Sequence, residues 1–425
     1  MPQRLAAALS GSTIPALSAF RAFAVLLVVA YHGDFGVPHI PGAYGVTAFF
    51  VLSGFLITWL LLREYDGNGT VALRAFYMRR TLRIAPAFLA YWVLVVAYLL
   101  WRGRDVPWPH AFSALAYVSN YYNAINGDPN TAFSHTWSLS TEEQFYLLWP
   151  GALLLLLRAR ARALPTVLAL VVALWAYRAA LAFVFDVGQA YLYAAFDARC
   201  DALLVGCALA LMLKDNRYPG AWTRLTARPS YLAITAALAT LASVGDMWAG
   251  VWWYQAVVGN AVVPVLIAVA IVQAIAASQA PMWRWLESPV LLYLGRLSYS
   301  MYLWQQVTVH AATVRLGAYP AWARAGAALA LTVAFAHLSY NLIERPFLRW
   351  KSALGARSSG GVAPLSAARD AAGRHVEPVT SAQGPAPTGV GRLEPAREAA
   401  RVPGGTHNHA CTSPDLRTAV GSGPV

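Results

Sequence analysis

The chain has 425 residues, of which 58% are apolar and only 12% are charged. Soluble globular proteins carry about 25% charged residues, so this composition argues against a soluble enzyme, a disordered scaffold and a disulfide-stapled secreted module. The net charge of +13 does not indicate a nucleic-acid binder, because the basic residues fall between apolar stretches and not on one face beside aromatic residues. Membrane topology explains this charge better.

Apolar stretches near twenty residues recur along the first 350 positions, and a helix of that length can cross a bilayer. They predict an all-α, polytopic membrane protein with about ten transmembrane helices. Residues 111–123 are apolar but short, so they fit a re-entrant or interfacial segment better than a span. The ten predicted spans are 16–33, 45–63, 84–101, 142–158, 165–185, 198–213, 230–248, 253–278, 291–314 and 321–343.

The basic residues between the spans predict the orientation. With the N-terminus in the cytoplasm, ten spans return the C-terminus to the cytoplasm as well. Most loop arginines then face the cytoplasm, whereas the opposite loops hold only Arg102, Arg104 and Arg315. This distribution agrees with the positive-inside rule.

The composition changes near Lys351, where Gly, Pro, Ala, Ser and Thr begin to dominate. No apolar period survives beyond that point, so we expect residues 1–350 to form the membrane domain and 351–425 a disordered cytoplasmic tail. Cys200 and Cys207 are seven residues apart, about 10 Å along one helix, which is too far for a disulfide. No cysteine pair has metal-ligand spacing, and we expect no metal site.

Ionisable residues within the apolar spans are the first candidates for function, because a charge inside the bilayer is costly. Ten residues separate Arg21 from His32. Eleven steps of a helix turn both side chains the same way, about 16 Å apart along the axis. His32 could act as a general base or merely end a span at the interface. Arg21 could reach the inner surface with its long side chain.

Arginines also precede the third predicted span. Arg79, Arg80 and Arg83 lie at its cytoplasmic end, and Arg80 and Arg83 share one helix face. Guanidinium groups bind phosphate and pyrophosphate well. Ordinary positive-inside anchoring is the alternative explanation.

A third polar segment, HTWSLSTEEQFY at 135–146, opens the fourth predicted span on its outward side. Glu142 and Glu143 are adjacent there, and the spacing of Ser140 and Glu143 fits a capping box. Trp137 could belong to an interfacial aromatic belt or form a stacking surface for a sugar. Further along, Asp197, Arg199 and Asp201 alternate at a span entrance, where an Arg–Asp pair could neutralise itself.

Five segments in order resemble those of the membrane acyltransferase-3 family, the O-acyltransferases that modify bacterial polysaccharides, lipopolysaccharide, peptidoglycan and some macrolides. The resemblance covers about residues 17–350. The segments are Arg21 with ten residues to His32, GVTAFFVLSGFLIT at 45–58, RRTLRI at 79–84, WSLSTEEQFY at 137–146 and YLGRLSYS at 293–300.

The resemblance implies a multi-pass enzyme of the inner (plasma) membrane that modifies the cell envelope. It implies an acyl-CoA co-substrate, acetyl-CoA first, used from the cytoplasm, and a carbohydrate or glycan acceptor reached from outside. His32 matches the family's catalytic histidine and Arg21 its essential arginine, while Arg80 and Arg83 match the pair associated with the donor.

Further roles follow from the expected chemistry. We expect Glu142 or Glu143 to orient His32 or to bind the acceptor, and His135 and Trp137 to lie at the acceptor site. The chain departs from the family where Thr47 replaces an acid and where Gln305 replaces a frequent histidine. The alternative function is a transporter or flippase for a glycan or a lipid-linked intermediate, in which buried Arg, His and Glu would line a polar path.

Overall fold

The fold was analysed in a computed structural model, which describes residues 2–11, 14–33, 42–127, 129–159, 162–249, 253–278 and 280–350. The predicted tail, 351–425, lies outside the described residues. Within the described part every regular element is helical, which confirms the all-α class.

Sixteen α-helices are described in chain order. They are α1 (Gln3–Ser10), α2 (Pro15–His32), α3 (Ala43–Asn68), α4 (Leu73–Trp101), α5 (Trp108–Leu115), α6 (Ser119–Asn126), α7 (Thr136–Arg158), α8 (Ala163–Phe183), α9 (Gln189–Ala194), α10 (Phe196–Arg199), α11 (Asp201–Lys214), α12 (Pro219–Leu225), α13 (Tyr231–Ala249), α14 (Asn260–Ala277), α15 (Pro289–Arg315) and α16 (Ala321–Ser339). A π-helical turn, Tyr340–Glu344, continues α16.

Six of the described helices are long and apolar enough to cross a membrane: Pro15–His32, Tyr44–Asn68, Leu73–Trp101, Ala163–Phe183, Val257–Ala277 and Ala321–Trp350. The expected count of ten spans is therefore not confirmed, although each predicted span overlaps a helix. The segment predicted to be re-entrant or interfacial contributes to two short helices, α5 and α6, each of eight residues and too short to cross a membrane.

Two predicted spans begin earlier in the structure than their apolar runs do. The third was expected at 84–101, but α4 starts at Leu73 and carries all three arginines within the helix. The fourth was expected at 142–158, but α7 starts at Thr136, so Glu142 and Glu143 lie in its second turn. Polar residues therefore form the first turns of α4 and α7, and these turns are part of the helices and not of the loops before them.

The bundle is built around α3, of which 78% of the apolar window is buried, against 28% for α8 and 22% for the C-terminal helix. The apolar side chains that α4 and α16 leave exposed, such as Val93 and Leu338, suit contact with lipid. Small residues let the central helices approach closely. Gly54 of α3 lies against the backbone of Leu203, and Gly206 of α11 against that of Val51.

Replacing Gly206 with alanine should destabilise the bundle. A methyl group there would overlap with the carbonyl oxygen of Val51, which is backbone and cannot move aside without shifting α3. Overpacking of this kind costs about 1–3 kcal/mol. The melting temperature of the purified protein in detergent should fall measurably, whereas Gly326→Ala, at a position with nothing within 4 Å, should leave it unchanged or raise it.

Candidate active site

Polar side chains from five helices meet in a cavity inside the bundle. Its volume is about 70 Å³, and α2, α3, α4, α7 and α15 contribute its walls. The polar lining residues are Arg21, Ser53, Arg80, Arg83, Ser138, Glu142, Ser298, Tyr299 and Tyr302. Arg21, Arg80 and Arg83, which come from the two predicted arginine motifs, therefore share one site.

Arg80 is held by two carboxylates. Its Nε lies 3.4 Å from Oε1 of Glu143, and its Nη2 lies 3.8 Å from Oε2 of Glu142. The guanidinium group also stacks on Tyr146, with 3.6 Å between its central carbon and the ring centroid. Ser53 donates a hydrogen bond of 2.8 Å to Glu142. Arg80 is thus neutralised by protein groups.

Arg21 and Arg83 differ from Arg80. Among the described residues neither forms an ion pair within 4 Å. Glu344, a buried residue that accepts a hydrogen bond from Ser300, lies close enough to interact electrostatically with both. Two guanidinium groups therefore face the cavity without a directly paired carboxylate.

This arrangement corrects one expectation about the glutamates. Glu143 was a candidate capping residue, but the N-cap of α7 is His135 and the Ser140 hydroxyl donates to Thr136 O within the helix. Glu142 or Glu143 was also expected to orient His32 or to bind the acceptor. In the structure Ser53 donates a hydrogen bond to Glu142, and both carboxylates lie against Arg80.

His32 is the last residue of α2. Its Nδ1 lies 2.8 Å from the carbonyl oxygen of Val28, and since a carbonyl oxygen can only accept, Nδ1 carries the proton. Nε2 of the neutral ring is then the basic nitrogen. His135 is near enough for the two imidazoles to interact electrostatically.

His135 connects this region to the cavity. The Tyr302 hydroxyl, which lines the cavity, donates to the His135 carbonyl oxygen, and the two rings lie 5.4 Å apart. The His135 side chain is 4% exposed. Neither ring nitrogen makes a hydrogen bond of normal geometry within the described residues, although the Leu303 backbone favours its protonated form.

Trp137 is buried and does not form an exposed aromatic belt. Its ring packs 4.8 Å from that of Tyr193 and 6.0 Å from that of Phe50, measured between centroids. The guanidinium group of Arg199 lies 5.9 Å from its centroid. Protein groups therefore already contact this ring.

The Arg–Asp pairing expected around Arg199 is wrong. Asp201 pairs with Arg178, Nη1 to Oδ2 at 2.8 Å, and both side chains are fully buried. Asp197 accepts hydrogen bonds from tyrosines, including Tyr121 at 2.9 Å. Arg199 instead donates to Asn260 and, over 3.1 Å, to Thr47.

Sequence reasoning missed Ser53, Glu344 and the Arg178–Asp201 pair. Glu344 lies just after the last predicted span, at 321–343, so the search for charges within the spans, which singled out Arg21, did not include it. Ser53 carries no signal of its own, because a serine in an apolar helix is common. In the described residues no three His, Cys, Asp or Glu side chains form a group that could hold a metal ion.

The fold and the cavity define a class of protein: a helical membrane protein with arginines and a carboxylate in an internal cavity. Comparison with known proteins identifies the family. The model of the acyltransferase domain matches residues 14–340. The chain belongs to this membrane acyltransferase-3 family. No solved structure gives a significant match.

Curated relatives agree with this assignment. The chain is 30% identical over 353 residues both to the putative peptidoglycan O-acetyltransferase YrhL of Bacillus subtilis and to the peptidoglycan O-acetyltransferase OatA of Listeria monocytogenes. These matches cover 78% of this chain and 54% and 55% of the relatives. The putative O-acetyltransferase SACOL0978 of Staphylococcus aureus is 30% identical over 354 residues, covering 79% of this chain and 57% of that protein. The chain thus spans little more than half the length of these relatives.

Two histidines outside the six apolar helices should make stability depend on pH. Burial lowers the pKa of His110 to about 4 and that of His135 to about 3, against 6.5 for a free imidazole. Both rings stay neutral in the folded protein while the unfolded chain takes up protons below pH 6.5. Stability should therefore fall as pH drops from about 6.5 to 4, by at most about 1.4 kcal/mol per pH unit for each histidine.

Melting temperatures measured across this pH range check the expectation. His110→Asn and His135→Asn should each flatten the dependence, because one titrating group is lost. His337→Asn, at an exposed position, serves as the control and should keep the full slope. A wild-type protein whose melting temperature is constant from pH 6.5 to 4 would contradict the buried neutral rings.

Proposed function

We propose that this protein is a membrane O-acyltransferase that transfers an acyl group, acetyl first, from cytoplasmic acyl-CoA to a hydroxyl group of a glycan. The family assignment supports the reaction class. Peptidoglycan is the first candidate acceptor, since curated relatives are described as peptidoglycan O-acetyltransferases. The proposed location is the inner (plasma) membrane, with the N-terminus in the cytoplasm.

The observation that carries the proposal is the pair Arg21 and Arg83. Both face the cavity without a directly paired carboxylate in the described part of the chain, whereas Arg80 is already neutralised by Glu142 and Glu143. Leaving guanidinium groups in a buried site is costly unless an anion arrives to pair with them. The phosphates of acyl-CoA are such an anion, and guanidinium groups bind phosphate strongly.

His32 would act as the general base. Its Nδ1 is fixed by Val28, so Nε2 is the nitrogen that takes the proton from the acceptor hydroxyl. The oxygen then attacks the thioester carbon, the carbon–oxygen bond forms, and the carbon–sulfur bond breaks. The proton passes to the departing thiolate, so that the imidazole is neutral again.

The other candidate residues would support the donor site at Arg21 and Arg83 and the general base His32. Glu142 and Glu143 hold Arg80 in place and keep the charge of the cavity wall balanced. His135 contacts the cavity-lining Tyr302 and is within electrostatic range of His32, so it would contact the acceptor or position the base. Trp137 would contribute to the acceptor site through its packing with Arg199 and Tyr193.

Transfer of labelled acetyl groups from acetyl-CoA to peptidoglycan fragments by the purified protein tests the function. His32→Ala should reduce transfer by more than tenfold, since general-base catalysis typically contributes 10²–10⁴-fold. Membrane insertion and melting temperature should stay near wild type, because His32 is an exposed residue at a helix end. The control is His337→Ala, a histidine of α16.

Saturable binding of a non-hydrolysable acyl-CoA analogue separates this function from the alternative. A glycan transporter or flippase has no reason to bind acyl-CoA. Absence of saturable binding to the intact, folded protein would overturn the acyltransferase proposal. Transfer by His32→Ala within about tenfold of wild type would instead remove only the assignment of the base.

The main effect of Arg83→Gln should be a lower affinity for the donor, with a smaller effect on the stability of the fold. A charge-assisted hydrogen bond contributes about 1.5–3 kcal/mol, so the Kd for the acyl-CoA analogue should rise about tenfold or more. Arg80→Gln should chiefly lower the melting temperature, because it leaves two partly buried carboxylates without their cation. For a fully buried pair such a loss costs about 3–5 kcal/mol, which is an upper limit here. The KM for the acceptor should be unchanged in Arg83→Gln.

The matched control is Arg79→Gln. Arg79 lies on the same helix, but its side chain is 38% exposed and pairs with Glu64. The Arg79→Gln variant should therefore leave the donor Kd unchanged. Equal losses of donor affinity in the Arg79 and Arg83 variants would show that only general positive charge matters.

A further inference from the structure

The cavity has more hydroxyl groups than the fold uses. Five hydroxyl-bearing residues line it, and four of them already donate to protein acceptors. Ser53 donates to Glu142, Tyr299 donates to the carbonyl oxygen of Ile84 over 2.9 Å, and Tyr302 donates to that of His135. Since Tyr302 has only one proton, Ser138 must be the donor in its 2.6 Å hydrogen bond with the Tyr302 hydroxyl.

Ser298 is the fifth. Its side chain is 1% exposed, and its hydroxyl has no hydrogen-bond partner among the described residues. A buried serine in a helix can return its hydroxyl to a carbonyl of the preceding turn, as Thr308 does further along the same helix. Ser298 does not, and it faces the cavity beside Arg21 and Arg83.

Gln305 repeats the pattern two turns further along α15. It is 0% exposed, and neither its amide oxygen nor its amide nitrogen has a partner in the described part of the protein. Residues 298, 302 and 305 are spaced by four and three, so they share one face of the helix. Leaving a buried donor unpaired costs about 1–3 kcal/mol, which is unusual at two positions of one face.

This face leads away from the arginines. Ser298 lies beside Arg21 and Arg83, and Tyr302, one turn later, contacts His135, which interacts with His32. Gln305 follows at about 10 Å from Ser298 along the axis. A donor whose phosphates bind the arginines and whose thioester reacts at His32 must bridge the roughly 16 Å between Arg21 and His32 along α2 with its pantetheine arm, an extended chain that contains two amide groups.

We propose that the face of α15 formed by Ser298, Tyr302 and Gln305 binds the acyl-pantetheine arm of the donor. Ser298 and the Gln305 amide donate hydrogen bonds to carbonyl oxygens of the arm and thereby gain the partners they lack in the free protein. This inference rests on the proposed function, because it requires acyl-CoA as the donor. Neither residue exchanges a proton with the substrate; both position the arm.

The test compares two ligands, one of which lacks the pantetheine arm together with the phosphate that carries it. Coenzyme A carries the phosphates and pantetheine, whereas adenosine 3′,5′-bisphosphate lacks the arm. Ser298→Ala and Gln305→Met should each raise the Kd for coenzyme A about threefold or more, and the double variant about tenfold. The Kd for adenosine 3′,5′-bisphosphate should change less than about twofold, since its contacts are to the arginines.

Melting temperature separates binding from a structural role. Because both groups are unpaired in the free protein, removing them should leave stability unchanged or increase it. Ser278→Ala is the control: Ser278 is equally buried, but its hydroxyl donates to Ile275 O, so this variant should lose some stability and no coenzyme A affinity. Gln305→Glu should not restore binding, since a carboxylate cannot donate.

The outcomes are distinct. Wild-type protein that binds neither ligand would overturn the proposed function itself. Wild-type affinity for coenzyme A in the double variant would overturn the arm site alone. Equal weakening of both ligands, or a clear loss of melting temperature in either single variant, would show that these residues support the fold and not the arm.

Discussion

The site depends on the balance between three arginines and three glutamates inside a helical bundle. Arg80 is satisfied by Glu142, Glu143 and the ring of Tyr146, and this cluster fixes α4 against α7. Ser53 ties α3 to the same cluster through Glu142. Arg21 and Arg83, which are only partly buried, line the cavity beside this cluster. A buried ion pair seldom adds net stability, so its value here lies in holding two other cations at a defined place.

Close helix packing makes that cluster possible. Glycines at the contacts of α3 with α11 and of α2 with α15 bring backbones together where any side chain would intervene, as Gly206 does at Val51 and Gly295 at Ser18. In lipid the drive for helix association comes mainly from such packing and from polar contacts between helices. The Arg178–Asp201 pair joins α8 to α11 in the same manner.

In the proposed mechanism this geometry gives the reaction a direction. Cations face one end of the cavity, and Tyr302 connects it to His135 and, through it, to His32. The proposed donor would enter at the arginines, while the acceptor would meet the histidines. Ser298 and Gln305 lie along α15 in the proposed path of the donor's arm. The Ser298 hydroxyl and the Gln305 amide have no hydrogen-bond partner among the described residues. The proposed reaction would bring a cytoplasmic thioester to a hydroxyl outside, and polar side chains along this route would suit that transfer.

The sequence by itself determined the helical class, the family and the identity of most candidate residues. Helix class follows from apolar run length, a local property, and the motifs around Arg21, Arg80 and Glu142 are contiguous in the chain. The tertiary structure decided what these residues contact. Arg80 was expected at the cytoplasmic end of one span and Glu143 at the outward end of another. They pair because α4 and α7 each begin with polar residues that hydropathy assigns to loops. Arg199 was expected to pair with a neighbouring aspartate, but its partners are Thr47 and Asn260, residues 152 and 61 positions away. Nothing in the sequence distinguishes Ser298 and Gln305 as candidates. Only the packing of α15 shows that they are buried without partners, because satisfaction of a hydrogen bond is a property of the surroundings and not of the residue.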